Sequence, residues 1–183
     1  MTATYSGARY RRPLIILHWF TLLLLIAVFG FIELRELFEK GTEARELMKA
    51  MHFTLGLTVL LTVMLRLFFR LQSQAPAIEP APHWLMHKAA QLVHLLLYAL
   101  MIGMPIAGWL ILSAAGKPIP FYGFELPPLI GENKDLSDAI KTVHKTAGNF
   151  AYFLIAVHAM AGLYHHHVRH DNTLLRMLPG RKS

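Results

Sequence analysis

The stretch VHKTAGNFAYFLIAVHAMAG, Val143 to Gly162, decides how the chain is read. It is apolar enough to lie in a bilayer, yet it carries His144 and His158. Fourteen residues separate the two. At 3.6 residues per turn that is close to four whole turns. Both imidazoles therefore leave one face of a helix, roughly 21 Å apart along its axis. A hydrocarbon core is about 30 Å thick, so one histidine falls near each membrane surface. A membrane histidine can simply hydrogen-bond to a neighbouring helix. Ionisable groups at such depth are costly, however, and their default reading is functional.

Composition frames this stretch. The chain has 183 residues, 55% hydrophobic and only 16% charged. That profile fits an integral membrane protein of one small domain, residues 1–183. The net charge of +7 would raise nucleic acid as a partner in a soluble protein. Here the charges cluster between apolar spans, so membrane topology explains them. The absence of cysteine excludes disulfides, cysteine-ligated iron–sulfur clusters and thioether-attached haem. Eleven histidines are the available metal ligands. Gly-rich phosphate loops, G-x-S-x-G and H-E-x-x-H are all missing, so nucleotide and hydrolase chemistry have no support.

Outward from the opening stretch, the fold expectation is all-α, a four-helix bundle in the membrane. Helices are expected at about 13–33, 43–71, 85–115 and 136–168. Each is long enough to span. Thr42 is placed to cap the second. Pro76, Pro80 and Pro82 suit an extended connector after it. Gly103, Pro105 and Gly108 predict a kink in the third. Residues 116–138 read as a proline-rich loop. Residues 171–180 read as a short amphipathic segment along the membrane surface. An even number of spans puts both termini on one side. That side carries ten Lys/Arg against two Asp/Glu, and the other carries eight against nine. The positive-inside rule makes the termini cytoplasmic.

Direction then fixes depth. His18 starts an outward helix and His158 lies late in an inward one, so both are on the inner side. His52 and His144 begin inward helices, so both are on the outer side. The four pair as His18 with His158 and His52 with His144. Each pair joins two different helices, as a six-coordinate haem held within a bundle requires. Gly56, Gly148 and Gly162 each follow one of these histidines by four residues. Residues at that spacing share a face, which clears room for a flat macrocycle or for close helix packing. Lys49 and Lys141 each precede an outer histidine by three residues, and Lys145 follows one directly. Two roles are open to them: snorkelling or propionate-pairing cations, or a positive field that draws in a small anion. His94 is a competing ligand, or a propionate or quinone contact, and His87 is a second candidate for the quinone. Arg66 is a propionate or quinone contact, or a snorkelling cation. The run His165–His167 with His170 is a metal site or a solvated helix end.

These residues resemble the bacterial di-haem cytochrome b561 family. The resemblance runs through LHWF (Leu17–Phe20), MHFTLG (Met51–Gly56), QLVHLLLYAL (Gln91–Leu100), VHKTAGNFAYFLIAVHA (Val143–Ala159) and HHHVRHDNTLLRMLPG (His165–Gly180). It implies His18, His52, His144 and His158 as the axial ligands of two non-covalent haem b groups. It implies a multi-pass protein of the bacterial inner membrane. One subgroup, which the tail resembles most, passes electrons from superoxide to ubiquinone. Such an activity gives Lys49, Lys141 and Lys145 the role of guiding superoxide on the periplasmic side, and needs no protein partner. A different class is also expected to share the architecture: a haem b relay and anchor subunit for a separate dehydrogenase or hydrogenase. A haem-free metal transporter is the distant third.

Overall fold

The computed structural model describes residues 9–180. Arg181 and Lys182, counted in the charge balance, and the first residues of the expected 1–183 domain lie outside them. Four helices are long and apolar enough to cross a membrane. They are α1 (Arg12–Leu34), α2 (Glu43–Leu71), α3 (Trp84–Ala114) and α4 (Lys134–His167). Their ends fall within one or two residues of the expected ones, inside ordinary fraying. Pro13 sits in the first turn of α1, where its missing N–H costs nothing. Thr42 caps α2 by accepting the Arg45 N–H at 3.4 Å. Asn133 caps α4 by accepting the Leu136 N–H at 3.0 Å. Pro105 lies within α3 without ending it.

The packing is sequential: α1 on α2, α2 on α3, α3 on α4. Leu24 and Val28 of α1 pack on Val59 and Val63 of α2, with Tyr98, Met101 and Ile102 of α3 closing the cluster. Among the described residues, α4 makes no close backbone contact with α1 or α2. Packed helices ordinarily stand 8–10 Å apart. A gap therefore runs along the inner face of α4.

Two expectations need correction. The 116–138 segment is not all loop, although the fold is a mostly helical bundle as expected. It contains a hairpin, β1 (Ile119–Phe121) paired antiparallel with β2 (Phe124–Leu126). The turn residues Tyr122 and Gly123 both have positive φ, 47° and 85°. That is the sign a two-residue type I′ turn requires, and glycine supplies it at low cost. The hairpin leans on α2: Thr54 Oγ1 donates to Pro120 O at 3.1 Å, and the Thr58 and Tyr122 hydroxyls meet at 3.0 Å. Ile119 is buried with Leu57 and Leu112. The hairpin closes the bundle at the end where α2 and α4 begin.

The C-terminal segment does not lie free along a surface. Asp171, Asn172 and Arg176 are buried. The proline-rich connector after α2 has carbonyls and amides with no helical partner, and these residues take them. Asn172 Nδ2 donates to Ala77 O at 3.3 Å, and its Oδ1 accepts the Glu79 N–H at 3.0 Å. Arg176 donates to Pro76 O. Trp19 of α1 donates its indole N–H to Met177 O at 2.7 Å. Asp171 receives His165 Nδ1–H at 2.5 Å and the Thr173 N–H at 2.9 Å. Burial pushes the Asp171 carboxyl up, but the bonds from Thr173 and His165 outweigh it and hold it below the usual range. A depressed carboxyl stabilises the fold above its unfolded pKa and ceases to as pH falls through its folded one. Asp171→Asn should cost about 1–3 kcal/mol at neutral pH, read as a lower thermal midpoint in detergent. The gap to the parent protein should close as the pH is taken below about 3.9.

Candidate functional site

The four histidines singled out by depth come together in two pairs across the gap beside α4. His52 and His144 stand 6.4 Å apart between ring centres, with planes at 77°. His18 and His158 stand 6.1 Å apart, at 73°. A metal–imidazole bond is about 2 Å, and the ring centre lies roughly 1 Å further, so two rings on one metal sit about 6 Å apart. Both pairs have that separation. The Cα atoms of His144 and His158 are four turns apart, roughly 21 Å along α4.

The ring of His52 is held in one tautomer. Its Nδ1 lies 2.9 Å from Val28 O, and a carbonyl only accepts, so Nδ1 carries the proton and Nε2 keeps its lone pair. His144 Nδ1 is buried with no partner among the described residues. His18 packs edge-on against Trp19, which Met177 O pins from below.

A cavity of about 980 Å³ opens beside the outer pair, lined by His52 and His144. Gly56, Gly108 and Gly148 line it too. A Cβ on Gly56 would meet nothing within 4 Å; one on Gly148 would meet only Met104 Cε at 3.6 Å. Gly108 faces His144: a Cβ there would lie 3.8 Å from its Cε1. Gly56 thus borders open space, whereas Gly148 sits in ordinary contact range of α3 through Met104. Gly108 was read from the sequence as a kink residue. Its place opposite His144 follows from the pairing of α3 with α4, which no local pattern encodes. Gly162 has open space around it but does not line this cavity. The facing imidazoles, the free lone pair and the slot are what an iron porphyrin needs.

The remaining candidates fall in different places. His94 lies 5.2 Å from His158, nearer than His18 does. Arg66 is within electrostatic reach of His18, His94 and His158, and its guanidinium sits 5.6 Å over the Tyr98 ring. Lys49, Lys141 and Lys145 all line the outer cavity, but Lys49 is paired with Glu46 at 2.6 Å. Arg35, Lys117 and Lys134 line it as well, unforeseen from the sequence. Five carboxylates, Glu33, Glu36, Glu46, Glu132 and Asp138, share that lining with the six cations. His87 is exposed and bonded to Gln91, away from both pairs. His165 is committed to Asp171. Among the described residues, no three His, Cys, Asp or Glu side chains are grouped to hold a metal ion.

A helical membrane bundle with histidine pairs across an interhelical slot defines a class, the membrane haem electron-transfer proteins. The chain belongs to the prokaryotic cytochrome b561 family, whose sequence profile matches residues 9–180. It is 38% identical to "Cytochrome b561 homolog 1" of Escherichia coli (strain K12) over 174 residues, 95% of this chain and 99% of that protein. It is 37% identical to "Probable superoxide oxidase CybB" of Yersinia pestis over 167 residues, 91% of this chain and 94% of that one. "Cytochrome b561 homolog 2" of E. coli (strain K12) is 30% identical over 73% of this chain and 71% of that protein. Haem b and membrane electron transfer come with the family.

The open space at Gly56 gives a direct test. Gly56→Leu should fill the slot without meeting protein, so the helical fold should hold or gain stability. The b-type absorbance of the purified protein should drop, because haem can no longer enter between His52 and His144.

Proposed function

We propose that this protein is a di-haem b oxidoreductase of the bacterial inner membrane that passes electrons from periplasmic superoxide to ubiquinone. The observation that carries the reading is the double pairing of histidines at two depths of α4. In this reading residues 1–183 form one b561-type domain with both termini cytoplasmic. The charge asymmetry of the two sides supports that orientation. His52 and His144 hold the outer haem, and His18 and His158 the inner one. The bound haems supply reversible one-electron carriage. The protein fixes ligand geometry and electrostatics.

Val28 O orients His52. Gly56 and Gly148 leave the slot open, and the hairpin at Ile119 roofs it. Lys141 and Lys145 lend positive potential at the outer mouth, with Lys49 largely spent on Glu46. His94 and Arg66, beside the inner pair, are placed to contact a haem propionate or the quinone. The overall reaction balances as two superoxide anions giving two dioxygen molecules. Their two electrons, with two protons from water, take one quinone to quinol. The name of the Yersinia pestis relative supports superoxide as the donor.

One observation favours a second reading. The mouth carries nearly as many carboxylates as cations, which suits a docked redox protein as well as a small anion. The chain would then be a haem b relay and anchor subunit.

Ligand assignment predicts a simple pattern. His52→Ala or His144→Ala should lower haem from two to about one per chain and spare the inner centre. His18→Ala or His158→Ala should spare the outer one instead. Pyridine-haemochrome assay and the resolved optical bands check this. Two full haems in any of the four variants would break the assignment.

Stopped-flow mixing with superoxide separates the two functions. Purified protein alone should show rapid haem reduction, reversed by added ubiquinone. Lys141→Gln with Lys145→Gln should slow the first phase by up to about tenfold and flatten its salt dependence. A parent protein inert to superoxide leaves the relay reading.

A further inference from the structure

The two histidine pairs sit in different electrostatic surroundings. Arg66 follows His52 by fourteen residues on α2, as His158 follows His144 on α4. The same four turns therefore bring it from the outer level to the inner one, on the ligand face. It has no hydrogen bond or ion pair among the described residues, only the ring of Tyr98. Its charge reaches His18, His94 and His158. Arg70 and Arg176 reach His94 as well. Both lie over the ring of Tyr10, at 5.9 and 5.6 Å. Arg176 is 7% exposed, and its Nε has no partner. The nearby carboxylate, Asp171, is already bonded to His165 and Thr173.

The cations near the outer pair share their cavity with carboxylates. Arg35 is the one cation within reach of His52, and Glu36 holds it at 2.8 Å. His144 faces His52. The other cations of that cavity stand at its mouth among carboxylates, where water and salt screen them.

We propose that Arg66, backed by Arg70 and Arg176, makes the inner haem the higher-potential centre, so that the electron rests at the cytoplasmic end. The inference rests on the two-haem reading above. Reduction adds one negative charge at the iron, and a cation held beside it in a partly buried site favours that change, also where the cation meets a propionate. Arg66 is a positioning residue for charge; it fixes where the electron settles. Electron passage from outer to inner centre is then downhill by construction, which matches superoxide entry on one side and quinone reduction further in.

The test is spectroelectrochemical. His52→Ala isolates the inner haem and His18→Ala the outer one. The inner-only protein should have the higher midpoint. In the otherwise intact two-haem protein, Arg66→Gln should lower the inner midpoint and leave the outer one in place. A tenfold loss in the inner centre's preference for the electron corresponds to 59 mV for a one-electron couple, and a drop of at least that size is expected. Arg66→Lys keeps the charge and should restore most of the potential. An inner midpoint at or below the outer one overturns the proposal. So does a lysine variant that behaves like the glutamine one, which would make the effect one of shape. If Arg66→Gln fails to load its inner haem, the lysine variant and the comparison of single-haem proteins still decide. Fewer than two haems in the parent protein would instead sink the reading on which the proposal rests.

Discussion

The structure depends on a separation. Four imidazoles face each other in pairs about 6 Å apart across a slot that no backbone closes. Apolar side chains would normally collapse such a space, since a void forfeits dispersion contacts along its whole lining. Here α4 is held away from α1 and α2 by what it does on its other side. It packs on α3, α3 packs on α2, and the hairpin props the outer end. The bundle behaves as a C of helices with α1 and α4 as its lips. His18 stands on one, His144 and His158 on the other, and His52 on α2 behind, while Tyr152 of α4 reaches across to Phe29 and Glu33 of α1. Glycines at 56, 108 and 148 keep the slot thin-walled where a flat group must enter.

Much of this was readable before any coordinates. The spans were legible because hydropathy and length leave few alternatives in a bilayer. Histidine pairing was legible because helix direction converts sequence position into depth. What escaped was whatever depends on tertiary neighbours. The hairpin hides in a segment where Pro118, Pro120, Pro127 and Pro128 dominate the reading, and its one local sign, Tyr122-Gly123, is short. The buried role of Asp171, Asn172 and Arg176 escaped because the partners are backbone groups of residues 76–79, nearly a hundred positions earlier. The outer cations were seen only in part. Lys117 and Lys134 reach the cavity from a loop and a helix start, with no histidine nearby in sequence to mark them.

Charge is distributed unequally along the bundle, and the inequality has a physical logic. At the outer end, cations and carboxylates alternate and are wet, so their field is short-ranged. At the inner end, guanidiniums rest on aromatic faces, which offset part of their desolvation without cancelling their charge. Arg66 over Tyr98 is the deepest instance. Among the described residues, the guanidiniums backed by aromatic rings are thus gathered at one end of the bundle.

The C-terminal knot has a consequence for biogenesis. Residues 171–178 emerge from the ribosome after all four helices, yet they bond the connector at 76–79 and the indole of Trp19 beside His18. The floor under the inner half is thus laid last. Until then the end of the bundle that carries His18 lacks this closure. The final stretch of translation thus supplies a latch that ties the start of the first helix to the connector after the second.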